Sequence, residues 1–154
     1  MIKNLFYVFA ISVVPVIELR GAIPAGAALG LNMWLCLLAA VLGNLLPVPF
    51  LIIFGGKVLR WLAKFEKFGK PFRKILEIGE KKAGKMKKTV FWGLLAFVAV
   101  PLPGTGAWTG SLVAITLGLD IKKAFPPIAV GVILAGLVMM LGSYGVVAFL
   151  RVFA

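Results

Sequence analysis

Glu18-Leu19-Arg20-Gly21 places a carboxylate and a guanidinium two residues apart between two apolar stretches, residues 5–17 and 22–31. An ionised side chain at the centre of a bilayer costs about 2.5–3.5 kcal/mol on insertion scales, so it must be paired, hydrated or turned to a cavity. Glu18 could then bind a proton, and Arg20 could hold an anionic group with its fixed charge and planar fork. The structural alternative is a salt bridge that caps half-helices at an interface. A second stretch, Pro101-Leu102-Pro103-Gly104-Thr105-Gly106, offers backbone amides and the Thr105 hydroxyl at the start of a half-helix. The positive end of a helix suits phosphate or carboxylate. Residues 22–25, after Arg20, offer the same device.

Other side chains have two readings each. Trp108 and Thr109 follow the second stretch by one turn, as packing residues or as substrate contacts. Asn44 is the lone amide of its apolar run, fit for a helix–helix hydrogen bond or a substrate contact. Asp120 reads as a helix cap. There is no His, and Cys36 is the only cysteine. No intramolecular disulfide, no metal site and no cofactor is expected, and an enzyme is not expected either.

The elements that must hold these groups follow from composition. Of 154 residues, 62% are hydrophobic, and the mean hydropathy is +1.07. That is too apolar for a soluble domain. Charge is confined: twelve of the 17 Lys and Arg lie between Lys57 and Lys88, with Glu66, Glu77 and Glu80 among them. The net charge of +12 therefore marks a cytoplasmic loop under the positive-inside rule, not a nucleic-acid surface, which would bring stacking aromatics or zinc spacing. The location expected is a prokaryotic inner or plasma membrane.

Residues 5–17 are too few for a comfortable crossing, which takes about 20 apolar residues. Pro15 and Pro24 flank the Glu-Leu-Arg-Gly tetrapeptide, so residues 5–17 and 22–31 read as two half-helices joined by non-helical backbone. The run continues into more apolar sequence, and signal-peptide cleavage is not expected. Residues 33–54 read as a full span, kinked at Pro47 or Pro49. From Lys57 to Lys88 aromatic and aliphatic residues recur every three or four positions, the helical period. This block reads as amphipathic helices on the membrane surface, with Lys57, Arg60, Trp61, Lys64, Lys67, Arg73 and Lys74 toward the headgroups. Gly69-Lys70-Pro71 should divide it. The second half reads like the first: a short apolar piece at 90–100, a break at 101–106, a half-helix at 108–119, and a span at 126–150 with Pro126 and Pro127 in its first turn.

Leu29-Gly30-Leu31-Asn32 returns as Leu117-Gly118-Leu119-Asp120, and Gly43 and Gly131 keep the same offset. The half-helices carry the small pairs Gly26/Gly30 and Gly106/Gly110. Matching broken segments in two halves are the sequence mark of a transporter built from repeats. The fold expected is an all-α integral membrane domain over 1–154. It comprises two inverted repeats (1–56 and 89–154), each a re-entrant helical hairpin plus a transmembrane helix, joined by the basic amphipathic segment 57–88. Four full, kinked spans are the rival topology.

Glu18-Leu19-Arg20-Gly21-Ala22-Ile23-Pro24 with Gly26, and Pro101 through Gly110, resemble the small multidrug export protein family, itself similar to the DedA/VTT superfamily of membrane proteins. The resemblance covers nearly the whole chain. It implies paired re-entrant loops around inverted halves and, for the wider superfamily, lipid translocation or proton-coupled transport. By that resemblance Glu18 matches the acidic position near the first loop, Pro24 that loop's proline, and Pro101/Pro103 the second loop's proline region. DedA relatives carry arginines beside the second loop, whereas here that loop has Gly and Thr and no base.

The function expected is a small homodimeric transporter, possessing no nucleic-acid role, that moves a lipid-like or anionic amphipathic substrate such as a phospholipid or polyprenyl phosphate. Glu18 would couple movement to protons. The substrate and proton site would comprise Glu18, Arg20, Pro24, Gly26, Asn44, Pro101, Pro103, Gly104, Thr105, Gly106, Trp108 and Thr109. The alternatives are an exporter of drugs or small cations and a membrane scaffold whose basic helix recruits partners.

Overall fold

The computed structural model describes residues 1–62, 64, 74, 77, 87–102 and 104–153. Among these residues every regular element is a helix. Helix α1 (Ile2–Val13) stops because Pro15 drives the residue before it out of the helical region: Val14 is extended, at φ −69° and ψ 128°. The chain then turns through residues 14–17, with Val16 at φ 74° and Glu18 at φ 49°. Helix α2 (Glu18–Ala28) starts on Glu18 itself. The Glu-Leu-Arg-Gly tetrapeptide is thus the first turn of a helix, not the break expected of it. The break lies one turn earlier, where Pro15 puts it. Pro24 sits inside α2, because its fixed φ is a helical one and the missing donor costs a single bond.

Helix α2 ends in a left-handed turn at Gly30 (φ 69°), with Gly30 N–H donating to Ala27 O and Leu31 N–H to Gly26 O. Asn32 then accepts from the N–H groups of Trp34 and Leu35 at 3.0 and 3.3 Å. This cap starts α3 (Met33–Leu45). One residue, Leu46, separates α3 from α4 (Pro47–Leu62), and it keeps helical torsions of φ −54° and ψ −48° with its N–H on Leu42 O. Together they hold a 26-residue apolar run, Met33–Val58, of mean hydropathy 2.3.

Helix α5 (Lys87–Ala99) is followed by non-helical backbone at 100–102 and 104–106 and by α6 (Ala107–Thr116). Gly118 (φ 64°) repeats the Gly30 turn, with Gly118 N–H on Ile115 O and Leu119 N–H on Ala114 O. Helix α7 (Ile121–Phe153) starts after Asp120, whose carbonyl accepts from Lys123 and Ala124. Pro126 and Pro127 therefore stand in its second turn, not in its first as expected, and the first turn is built by Asp120 instead. Residues 121–150 form the second long apolar run, again of mean hydropathy 2.3.

In each half the first short helix packs on the second and on the long helix: α1 on α2 and α3, α5 on α6 and α7. The halves then interlock, α2 lying against α7 and α6 against α4. One continuous core results, with Val8, Leu19, Ile23 and Val48 meeting Leu94, Val98, Ile128 and Val132. The outer surface is apolar as well, with Phe6, Trp34, Leu38, Leu42, Phe50, Leu112 and Leu141 exposed. A protein of two long apolar helices with such a surface has lipid, not water, for its solvent.

The basic block begins on α4, not after it: Lys57, Arg60 and Trp61 lie on the last turns of that helix. Lys57, Trp61, Lys64 and Lys74 are exposed. Lys67, Arg73 and the expected break at Gly69-Lys70-Pro71 lie outside the described residues.

Gly43 and Gly131 perform matching tasks. A Cβ on Gly43 would collide with the Phe9 carbonyl oxygen, and one on Gly131 would press on the Leu95 carbonyl oxygen and on Val98. Each lets its long helix touch the backbone of the short helix beside it. Gly43→Ala should lower unfolding stability in detergent by about 1–3 kcal/mol, the usual cost of overpacking. Gly142→Ala, where a Cβ meets nothing within 4 Å, should leave it unchanged or slightly higher. Equal melting temperatures for the two variants would contradict this packing.

Candidate functional site

The break at 100–106 frees helix ends. Helix α5 ends in carbonyls without helical partners, and α6 begins with unpartnered amides. Water can satisfy such groups at a surface, but in apolar surroundings protein must do it. The Arg20 guanidinium meets the carbonyl end. Nη2 donates to Thr105 O at 2.7 Å, to Val100 O at 3.1 Å and to Thr105 Oγ1 at 3.1 Å. The Thr105 hydroxyl lies 2.6 Å from Val100 O and 2.9 Å from Leu102 O, and it donates into that pair.

Glu18 meets the amide end. It is 3% exposed, and its Oε1 accepts from Trp108 N–H at 3.1 Å. Its Oε2 lies 2.6 Å from Arg20 Nη1. Negative charge is thus set at the N-terminus of α6 and positive charge at the C-terminal end of α5, the favourable arrangement for both helix dipoles. Gly106 is the residue that permits it, because a Cβ there would collide with the Glu18 carboxylate. Thr109 closes the turn from inside, its hydroxyl accepting from Gly106 N–H at 2.8 Å. The Trp108 indole donates to Val13 O at 3.1 Å, tying α6 to the last turn of α1.

A cleft of about 240 Å³ opens on this arrangement, lined by Pro15, Val16, Glu18, Arg20, Gly104, Gly106, Trp108, Thr109 and Leu112. Within it a fixed cation, a carboxylate and a helix N-terminus face a space large enough for a phosphate or carboxylate group. Arg20 Nε is buried and has no hydrogen-bond partner.

The structure brings together Glu18, Arg20, Gly104, Thr105, Gly106, Trp108 and Thr109 from the residues singled out in the sequence. Pro101 lies in the same break, half-buried, and Pro103 lies outside the described residues. Three others are elsewhere. Pro24 lines a different cavity, with Val138 and Met139 of α7. Gly26 is a packing position, where a Cβ would strike Cys36 Sγ. Asn44 is fully buried on α3, and neither of its amide atoms has a hydrogen-bond partner, so the helix–helix bond expected of it is not made among the described residues. Three features had gone unrecognised in the sequence: the carbonyls of Val100 and Leu102, the Val13 carbonyl, and the Pro15–Val16 wall. Only the last had a signal, the proline. Arg20, from α2, is the base that reaches the break between α5 and α6.

The family model described as "Putative small multi-drug export protein" matches residues 18–138. No curated protein and no solved structure matches the chain.

Thr105→Val keeps the side-chain shape but removes the hydroxyl between Arg20 and two carbonyls. It should cost about 0.5–1.5 kcal/mol, the net worth of a hydrogen bond between partly exposed groups, measured as a shift of the denaturant midpoint in detergent. A midpoint identical to wild type would mean that Arg20 does not depend on this residue.

Proposed function

The chain belongs to the small multi-drug export protein family, matched over residues 18–138, and from that premise we propose a membrane transporter whose substrate is an amphipathic anion. Export is not an enzymatic activity, and the site holds a binding arrangement instead of a nucleophile with its base. The observation that carries the reading is the pairing of Glu18 and Arg20 from one half with the broken α5–α6 segment of the other. Intramembrane ionisable residues beside interrupted helices mark substrate and ion pathways.

Two inverted repeats, 1–56 and 89–154, surround the cleft in this reading. Helices α1 and α2 form one re-entrant hairpin, and α5 and α6 form the other. Length supports this: α1, of 12 residues, reaches about 18 Å at 1.5 Å per residue, short of a hydrocarbon layer of about 30 Å. The repeated turns at Gly30 and Gly118 and the matched contacts of Gly43 and Gly131 support the duplication. The basic segment 57–88 lies on the cytoplasmic face of a prokaryotic inner membrane, against lipid headgroups. A homodimer thickens the wall around the cleft. The substrate is lipid-like, a phospholipid or polyprenyl phosphate, because a cation of fixed charge and a helix N-terminus both favour an anionic head.

The family description favours a second reading, export of a cationic drug, in which Glu18 holds the cation and Arg20 is dispensable. Purified protein in vesicles separates them. Wild type, Glu18→Gln and Arg20→Ala are compared for transbilayer movement of a fluorescent anionic phospholipid and for proton-driven uptake of ethidium. Lipid movement that falls at least tenfold in Arg20→Ala, with ethidium at background, is the outcome expected. Ethidium uptake that survives Arg20→Ala would replace the anion with a cation, and activity of neither kind would leave a scaffold.

A further inference from the structure

The anion site is already filled, by the protein itself. Both oxygens of the Glu18 carboxylate are engaged: Oε2 by Arg20 Nη1 at 2.6 Å and Oε1 by Trp108 N–H at 3.1 Å. A cation on one oxygen and a helix N-terminus on the other are the partners that a phosphate or carboxylate from outside would seek. The cleft has space for an anion, but one placed there would lie against the Glu18 carboxylate instead of taking its partners. Two like charges at that distance would also oppose each other strongly.

We propose that the Glu18 carboxylate is a tethered stand-in for the anionic head of the substrate. An anion seats on Arg20 and the α6 N-terminus only when Glu18 takes up a proton and leaves, so proton and anion bind together and cross together. This inference rests on the anion reading of the site and gives the coupling expected of Glu18 a displacement mechanism and a sign.

Three observations make the exchange workable. Arg20 does not need Glu18 to stay in place, because Nη2 is held by Val100 O, Thr105 O and Thr105 Oγ1. The guanidinium therefore remains aimed when the carboxylate departs, and its buried Nε is one donor more than Glu18 uses. The backbone that carries the carboxylate is strained: Val16 is at φ 74° and Glu18 at φ 49°, a region costly for a β-branched residue. Val16 is also 92% exposed, so its side chain gains little packing among the described residues to offset that strain. Releasing Glu18 allows this turn to relax.

Among the described residues, no further titratable side chain lines the cleft. Glu18 and Arg20 are the titratable residues that line the cleft. Of the described side chains on helices packed against α2, Lys3 and Tyr7 of α1, Cys36 of α3, and Lys122, Lys123 and Tyr144 of α7 do not line it.

The sign separates this mechanism from cation export. With one proton taken up per anion, apparent affinity falls about tenfold per pH unit once Glu18 is ionised in the empty protein. A cation bound by the carboxylate displaces a proton, and its affinity rises with pH. An inward proton gradient therefore draws the anion inward, toward the cytoplasm, whereas it drives the cation out.

The test is a titration of the full chain in neutral maltoside micelles with dihexanoyl phosphatidylglycerol, whose phosphodiester keeps one negative charge across the neutral range. Calorimetry in buffers of different ionisation enthalpy counts the protons exchanged. Wild type should take up about one proton per anion bound, and Glu18→Gln, the neutral mimic, should bind with no proton exchange and no pH dependence. Binding to wild type with no proton uptake, or with proton release, overturns the inference while leaving the anion site standing. No binding to either protein at any pH, with ethidium bound instead, removes the anion reading itself. The wild-type count decides even if the variant fails to fold.

Discussion

A helix interrupted within an apolar fold exposes two kinds of unsatisfied backbone within a few residues, and the contacts at this site follow from how they are satisfied. The carbonyl end at Val100 and Thr105 needs donors, and the amide end at Trp108 needs an acceptor. One ion pair from α2 supplies both. Burying the pair costs several kcal/mol per ion in desolvation, and only good geometry with further hydrogen bonds recovers it. Here the further bonds are the helix ends themselves. Residues two apart on a regular helix point to different faces, so Glu18 and Arg20 would not meet on ideal backbone. The left-handed φ of Glu18, at the first position of α2, re-aims the carboxylate so that the two converge. The strained turn and the salt bridge are one device.

The two halves agree where packing demands it and differ where the site lies. The offset that lays Gly30 on Gly118 also lays Gly43 on Gly131, and in both pairs the local geometry is reproduced. Carried back along the short helices, the same offset lays Glu18 on Gly106 and Arg20 on Trp108. At the start of its second helix one half holds a charged pair. The other holds the smallest residue, against which the carboxylate rests, and the amide that it accepts from. In the repeat reading proposed above, divergence at equivalent positions makes a single asymmetric site where two identical ones would have placed like charges face to face.

Much of this was legible in the letters. The apolar halves, the proline-bounded short helices, the break after Val100, the turn repeated at Gly30 and Gly118, and the pairing of Glu18 with Arg20 all follow from composition, spacing and turn chemistry. What was not legible has physical causes. Pro24 and Pro15 look alike in sequence, yet only Pro15 breaks the chain, because proline tolerates the helix it sits in but not the helical state of its predecessor, and neighbouring contacts decide which effect wins. Gly26 and Gly106 look alike too. One packs against Cys36 and the other against a carboxylate from the opposite half, a difference that tertiary contact alone creates. Backbone acceptors such as Val100 O carry no side-chain signature at all.

Net charge argues for the identity of the cargo independently of contact geometry. The resting site holds one negative and one positive group and is neutral. Bringing in an anion with a proton on Glu18 leaves one cation, one anion and a neutral acid, so the total is unchanged. Bringing in a cation leaves the pair and a further positive charge, a net charge that low-dielectric surroundings penalise by several kcal/mol. That cost vanishes only if Arg20 withdraws, and Arg20 is anchored to three acceptors in the opposite half. Under the anion reading proposed above, electroneutrality of the site is kept when an anion and a proton enter together, as the salt bridge keeps it in the empty site.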